Sequence, residues 1–274
     1  MSNAAASRTP LVAGSLTRRP QIALAVFDFD GTLSWLRHGW PEMMHEVLRP
    51  HYPAIEGEPE PARHERLFDE IYTHNGVPTV DYLEAFARRF GTARQPVHSS
   101  SLLDTYHAKL ESAIAHRKSL IGDGKAPASD FIVHNALALL QLIAGRGIEL
   151  AVLSGTLEHR VIEEAALLGL SRFFGGRVVG SHAGGTFTKR AALERLLSER
   201  GLRAAQLLSF GDGAVEIRET KALGGLAVAV ASDEHHNGSG TPDPRKARVL
   251  KDAGADLIIA DYRQPEALLE TLLG

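Results

Sequence analysis

The sequence predicts an α/β fold, a doubly wound, Rossmann-like parallel sheet with an inserted α-helical cap. Three observations carry this prediction. Over residues 129–273 short apolar runs alternate with helical patterns closed by glycines. The runs are continuously apolar, as strands covered on both faces are. After the first strand, residues 35–128 break the alternation with helical patterns alone.

The elements follow in order. Residues 1–20, MSNAAASRTPLVAGSLTRRP, carry Ala, Ser, Thr and Arg but no acid. They are read as a flexible N-terminal arm in preference to an organellar transit segment. Ile22 to Phe27 is the first strand. Helical patterns then cover Pro41 to Leu48, Ala62 to His74, Thr79 to Phe90 and Ser101 to Lys118, with breaks at GEPEP (57–61) and IGDGKAP (121–127). Ser129 caps a helix to about Ala144, before Gly145 and Gly147. Strands are expected at Ile148–Leu153, Arg177–Gly180, Leu207–Phe210, Leu226–Ala231 and Leu257–Ala260. Helices are expected at Thr156–Leu168, Lys189–Glu199, Ala214–Leu223, Pro244–Ala253 and Pro265–Leu273. The division is an arm (1–20), an α/β core (21–34 and 129–274) and a helical cap (35–128). The expected sheet order is 3-2-1-4-5, with the first strand central.

Bulk properties exclude several classes. A chain of 274 residues with 44% hydrophobic content can bury a sizeable core. A net charge of -3 offers no basic field to nucleic acid. The absence of cysteine rules out disulfides, thiolate nucleophiles and zinc–thiolate centres, and fits a reducing cytoplasm. No apolar run approaches the ~20 residues a membrane span needs. The pair His235-His236, set among Gly, Ser and Pro, reads as a solvated loop.

Ligands of parallel sheets bind beyond the carboxyl ends of the strands. Those positions hold Asp28 and Asp30, then Ser154 and Gly155, then Asp212 between two glycines, with Glu216 one helical turn further on. Burying one ionised carboxylate costs several kcal/mol without compensation, so paired acids at a strand end imply a positive partner. Gly31 allows a sharp turn and close approach of an anion to the backbone. Acids converging from separate strands form a hard-oxygen site suited to Mg²⁺. Lys189, at the start of a helix, can supply a positive charge, with Lys221 as its rival.

The run Asp28-Phe29-Asp30-Gly31-Thr32-Leu33 resembles the first motif of the haloacid dehalogenase superfamily of phosphohydrolases. Ser154 matches the second motif, Lys189 the third, and Asp212 with Glu216 the fourth. The resemblance implies that Asp28 is a nucleophile and Asp30 a general acid and base. It implies Mg²⁺ held by Asp28, Asp212 and the backbone carbonyl of Asp30, with phosphoryl oxygens held by Thr32, Ser154, Gly155 and Lys189. The second acid of the fourth motif is often Asp. Here it is Glu216, which leaves open direct ligation or ligation through water. Asp30 favours phosphate esters over carbon–halogen or carbon–phosphorus bonds.

The insert lies where one class of the superfamily carries its helical cap, which implies a small phosphorylated metabolite as substrate. Arg37, on the segment entering it, is expected to meet an anionic or hydroxylated part of that substrate. The expected activity is Mg²⁺-dependent phosphatase. The alternatives are a sugar-phosphate phosphotransferase or mutase, and a phosphometabolite-binding module without turnover.

Overall fold

The computed structural model describes residues 11–12, 16–182 and 187–274. Expectations for residues 1–10 and 13–15 fall outside them. Among the described residues seven strands form one sheet: β1 (Leu11–Val12), β2 (Leu24–Phe27), β3 (Glu149–Leu157), β4 (Val178–Ser181), β5 (Leu207–Gly211), β6 (Leu226–Val230) and β7 (Leu257–Ile259). Their order is β1-β7-β6-β5-β2-β3-β4. β2 to β7 run parallel, and β1 pairs antiparallel with β7. Counted from β2, the parallel order is 3-2-1-4-5-6, the expected arrangement extended by one strand. β1 lies in the stretch read as a flexible arm, where two residues are too short to show a period.

The strands are apolar on both faces because helices cover both. Ala25 and Phe27 point into one layer, with Leu139, Leu140 and Ile143 of α5 (Ala136–Gly145) and Leu268, Leu269 and Leu272 of α10 (Pro265–Leu273). Leu24 and Val26 point into the other, with Leu193, Leu196 and Leu197 of α7 (Lys189–Glu199). This is the two-residue alternation of a strand read on a doubly covered sheet. α8 (Ala214–Leu223) and α9 (Pro244–Asp252) pack with β6 and β7 through Ala214, Ile217 and Leu250.

Four helices fill the insert: α1 (Trp40–Leu48), α2 (Glu60–Thr73), α3 (Thr79–Phe90) and α4 (Ser99–Gly122). They enclose a separate apolar cluster of Met44, Leu48, Tyr52, Leu67, Ile71, Tyr82, Leu83, Phe86, Leu102 and Tyr106. No described helix is long and apolar enough to cross a membrane.

Two local readings differ from the structure. The single helix expected from Ser129 is a 3₁₀ turn (Ala128–Phe131), an extended link and then α5. The link is held by the first motif, through Trp35 N–H to the Phe131 carbonyl (2.8 Å) and Val133 N–H to the Leu33 carbonyl (2.9 Å). Asn135 then takes φ 61° to start α5. β3 runs four residues past Leu153, and α6 (Glu158–Leu167) starts two residues later than expected. A Cβ at Gly180 of β4 would lie 2.5 Å from Glu158 Cα, so glycine lets the two backbones meet there.

Candidate active site

Parallel register brings the strand ends level. Phe27 of β2 pairs with Val152 of β3 and Phe210 of β5. The Phe27 and Phe210 rings stack at 4.5 Å, and the Asp28 N–H donates to the Phe210 carbonyl at 2.9 Å. Asp28, Ser154 and Asp212 therefore lie one or two residues beyond a common level at the carboxyl edge. Gly31 turns the chain at φ +73°, and a Cβ there would sit 2.2 Å from Asp212 Oδ2. Only glycine permits this approach of the first motif to the Asp212 carboxylate.

Asp28, Asp212 and Glu216 are buried, and one carboxylate oxygen from each lies within 4.8 Å of the others. Two buried ammoniums flank them. Lys189 Nζ donates to Asp28 Oδ1 at 2.7 Å and to Glu216 Oε2 at 3.0 Å. Glu216 Oε1 accepts from Gly213 N–H at 2.6 Å. Lys246, with a side chain 0% exposed, donates to Asp212 Oδ2 (3.2 Å), to Ser232 Oγ (3.1 Å) and, most closely, to Glu234 Oε1. Glu234 Oε2 in turn accepts from Gly39 N–H, at the start of α1, at 3.1 Å. Ser232 Oγ donates to the Gly31 carbonyl at 3.0 Å.

Burial pushes the Asp28 carboxyl well above its ordinary value, against the pull of Lys189. Burial likewise pushes Asp212 up to about 6, opposed by Lys246. Burial acts on Glu216 in the same direction, but Lys189 and the Gly213 N–H outweigh it and hold Glu216 below its ordinary value. Burial works against the charge of each lysine, yet the facing carboxylates keep both well above the usual lysine range. With all groups ionised, the carboxylates of Asp28, Asp212, Glu216 and Glu234 exceed the two ammoniums by two charges. Hard oxygen donors with that deficit fit one divalent cation such as Mg²⁺.

Asp30 stands apart from this cluster. Its Oδ1 accepts from Arg37 NH1 at 2.5 Å and its Oδ2 from Thr156 Oγ1 at 2.8 Å. Its side chain is 21% exposed, against 10% for Asp28. Arg37, expected to meet a substrate, has its guanidinium between Asp30 and Glu164 of α6, at 2.6 and 3.1 Å from the two Glu164 oxygens. Burial raises the Glu164 carboxyl, opposed by Arg37. The Asp30 and Glu164 charges raise Arg37 despite its burial.

The remaining expected residues gather at the same edge. Ser154 is buried, and its Oγ accepts from Thr156 N–H at 3.1 Å. Gly155 is exposed beside it, with nothing within 4 Å of a Cβ built there. Thr32 is buried, its hydroxyl without a partner among the described residues, over a backbone carbonyl held by Tyr262 OH at 3.0 Å. The rival Lys221 is absorbed by Asp256 at 2.6 Å. His235 and His236 are exposed.

Ser232, Glu234, Lys246 and Glu164 were not singled out by sequence. The first two lie just past β6, a strand end that calls for the same inspection as the other three. Lys246 sits in the first turn of α9, which Asp243 caps through the Arg245 and Lys246 N–H groups at 2.9 and 2.8 Å. Lys189 opens α7 in the same way, behind the cap Thr188. A lysine in a first turn opposes the helix dipole, and that is the signal both share. Glu164 carries no such mark on an amphipathic helix.

A family model of haloacid dehalogenase-like hydrolases matches residues 22–224. The chain belongs to this family. Among curated proteins none matches it. Solved structures of haloacid dehalogenase-like proteins share the fold. One, a conserved haloacid dehalogenase-like protein from Agrobacterium tumefaciens, is 18% identical at TM-score 0.62, covering 91% of this chain and 98% of its own. A second, described as a predicted phosphoglycolate phosphatase from Haemophilus somnus, is 15% identical at TM-score 0.58, covering 90% and 98%. A third, a family hydrolase from Deinococcus radiodurans with bound phosphate and sodium, is 16% identical at TM-score 0.58, covering 92% and 97%. The helical insert of this haloacid dehalogenase-like hydrolase lies between the first and second parallel strands. Ser232, Glu234 and Lys246 lie beyond the matched segment.

Proposed function

We propose that the protein is a Mg²⁺-dependent phosphatase that hydrolyses a small phosphorylated metabolite through an aspartyl-phosphate on Asp28. The observation that carries this reading is the buried group of Asp28, Asp212 and Glu216, with Asp30 held apart from it two residues on. Asp28, Asp212 and the Asp30 backbone carbonyl would hold Mg²⁺, with Glu216 as a direct or water-linked ligand. The ion, when bound, neutralises charge on the phosphoryl oxygens.

A carboxylate oxygen of Asp28 forms a bond to phosphorus as the ester P–O bond breaks. Asp30, in the protonated form that the water step of the preceding turnover leaves, gives its proton to the departing alkoxide oxygen, and its greater exposure suits a group that meets leaving group and water in turn. Water then attacks phosphorus and yields a proton to Asp30, freeing phosphate and Asp28. Lys189, Thr32, Ser154 and the Gly155 amide hold phosphoryl oxygens, so positioning and charge carry most of the barrier lowering. The insert closes the edge where these groups meet, through Asn75 Nδ2 to the Asp212 carbonyl at 2.9 Å. That enclosure favours a small substrate over a phosphoprotein.

The test is a panel of phosphorylated metabolites with and without Mg²⁺, run in isotopically labelled water. Label in released phosphate supports hydrolysis. Phosphate handed to a second sugar supports the mutase reading, and no turnover on any ester supports a binding module. Arg37→Ala divides two roles for that residue: a substrate contact raises KM on the metabolite alone, whereas support of Asp30 lowers kcat on metabolite and aryl phosphate together.

A further inference from the structure

The acid cluster has two buried ammoniums, and they are placed differently. Lys189 is shared by Asp28 and Glu216 at 2.7 and 3.0 Å, so it serves as the cluster's own counter-charge. Lys246 has three N–H donors, and Glu234, Ser232 and Asp212 use all three. Its contact with Glu234 is the closest, and its contact with Asp212, at 3.2 Å, is the longest. Glu234 is itself 3% exposed and fixed from its other oxygen by Gly39 N–H at 3.1 Å. A buried ammonium cannot turn to water, so its charge goes to whichever carboxylate is placed to take it.

We propose that Glu234 is a positioning residue that draws the Lys246 ammonium off Asp212 and so keeps that carboxylate available to a divalent cation. This rests on the reading of Asp28, Asp212 and Glu216 as a Mg²⁺ centre. Without the Glu234 charge, Asp212 is the one anionic partner of Lys246 among the described residues, and any cation must displace it. Without Lys246, no ammonium among the described residues donates to Asp212. The two substitutions therefore act in opposite directions on cation affinity, which loss of structure alone does not produce. Glu234→Gln retains an oxygen for Gly39 N–H, so the anchor of the insert is kept while the charge is removed.

The experiment is calorimetric titration of Mg²⁺ into the full chain without substrate, together with the Mg²⁺-induced rise in Tm. Binding by the wild type reports on the cation centre, and the variants report on Glu234. Glu234→Gln is expected to weaken Mg²⁺ binding about tenfold or more. Lys246→Met is expected to bind at least as tightly as wild type, and Glu234→Gln with Lys246→Met to return to within about threefold of it. The double variant replaces a buried ion pair by neutral groups, so it keeps the test alive should the single Glu234→Gln chain fail to fold. Unchanged affinity in Glu234→Gln, or a Lys246→Met or double variant that binds much more weakly than wild type, overturns the proposal. Absence of Mg²⁺ binding by the wild type overturns it together with the cation reading.

Discussion

The carboxyl edge of the sheet and the interior of the helical insert are both buried, yet they are built from opposite materials. At the edge, Asp28, Asp212, Glu216 and Glu234 face Lys189 and Lys246 with nine-tenths or more of each side chain withdrawn from solvent. In the insert the interior is aromatic and aliphatic, with Phe86 against Phe90 at 4.7 Å and Tyr52 against Phe90 at 5.1 Å. Ion pairs such as Arg49–Glu60 and Arg88–Glu84 lie on its exposed surface. Hydrophobic groups of similar volume are often as stable as a buried ion network, so such a network at one edge marks chemistry rather than stability. The insert has an apolar cluster of its own, and it meets the charged edge at Arg37, Gly39 and Asn75.

Substitutions can break that contrast, and the largest effect is expected at the edge. Asp28→Asn should lower turnover of an aryl phosphate by roughly 10⁴-fold or more while the fold is kept. Full activity in a correctly folded variant would remove Asp28 as nucleophile. In the insert, Phe86→Ala should cost about 3–5 kcal/mol in denaturant unfolding through lost burial and the cavity left behind. Mg²⁺ titration of this variant should match wild type, because Phe86 touches no charged group of the edge; a weakened titration would show the two regions to be less separate than described.

A smaller effect sharpens the contrast through pH. Asp212, pushed up from 3.8 to about 6 by burial, binds its proton more tightly in the folded chain. Its contribution to stability is full below the unfolded value and is lost as pH rises through about 6. His45 in the insert, lowered from 6.5 to about 4 by burial and by His64, has the opposite sign. Its contribution is full above 6.5 and is lost as pH falls through about 4. Denaturation midpoints across this range should show Mg²⁺ removing the loss on the alkaline side only, and His45→Leu reducing the loss on the acid side only. The smallest effect is expected at the solvated pairs: Arg49→Ala should change stability by no more than about 0.5 kcal/mol, measured by the same unfolding curves.

Much of this was legible in the chain itself. Asp28 and Asp212 stood out because carboxylates at the ends of apolar strands contradict the cost of burying charge. The six parallel strands and most helices were legible because apolar period and glycine stops are local signals, whereas the two-residue β1 was not. Local chemistry went astray where long-range contacts took over. Residues 131–133 pair with the first-motif loop instead of extending a helix, and β3 continues because β4 offers glycine at the meeting point.

By itself, then, the sequence determined the six parallel strands, the acids at the carboxyl ends of β2 and β5, and that a helical block interrupts the alternation, since each of these follows from a few neighbouring residues. Tertiary structure alone decided which charge meets which. Lys189 reaches Asp28 across 161 residues and Arg37 reaches Glu164 across 127. Lys246 reaches Asp212 across 34, and Glu234 meets Gly39 across 195. Ion pairing in a closed interior depends on distances of a few ångströms, and only the packing of distant elements sets those distances.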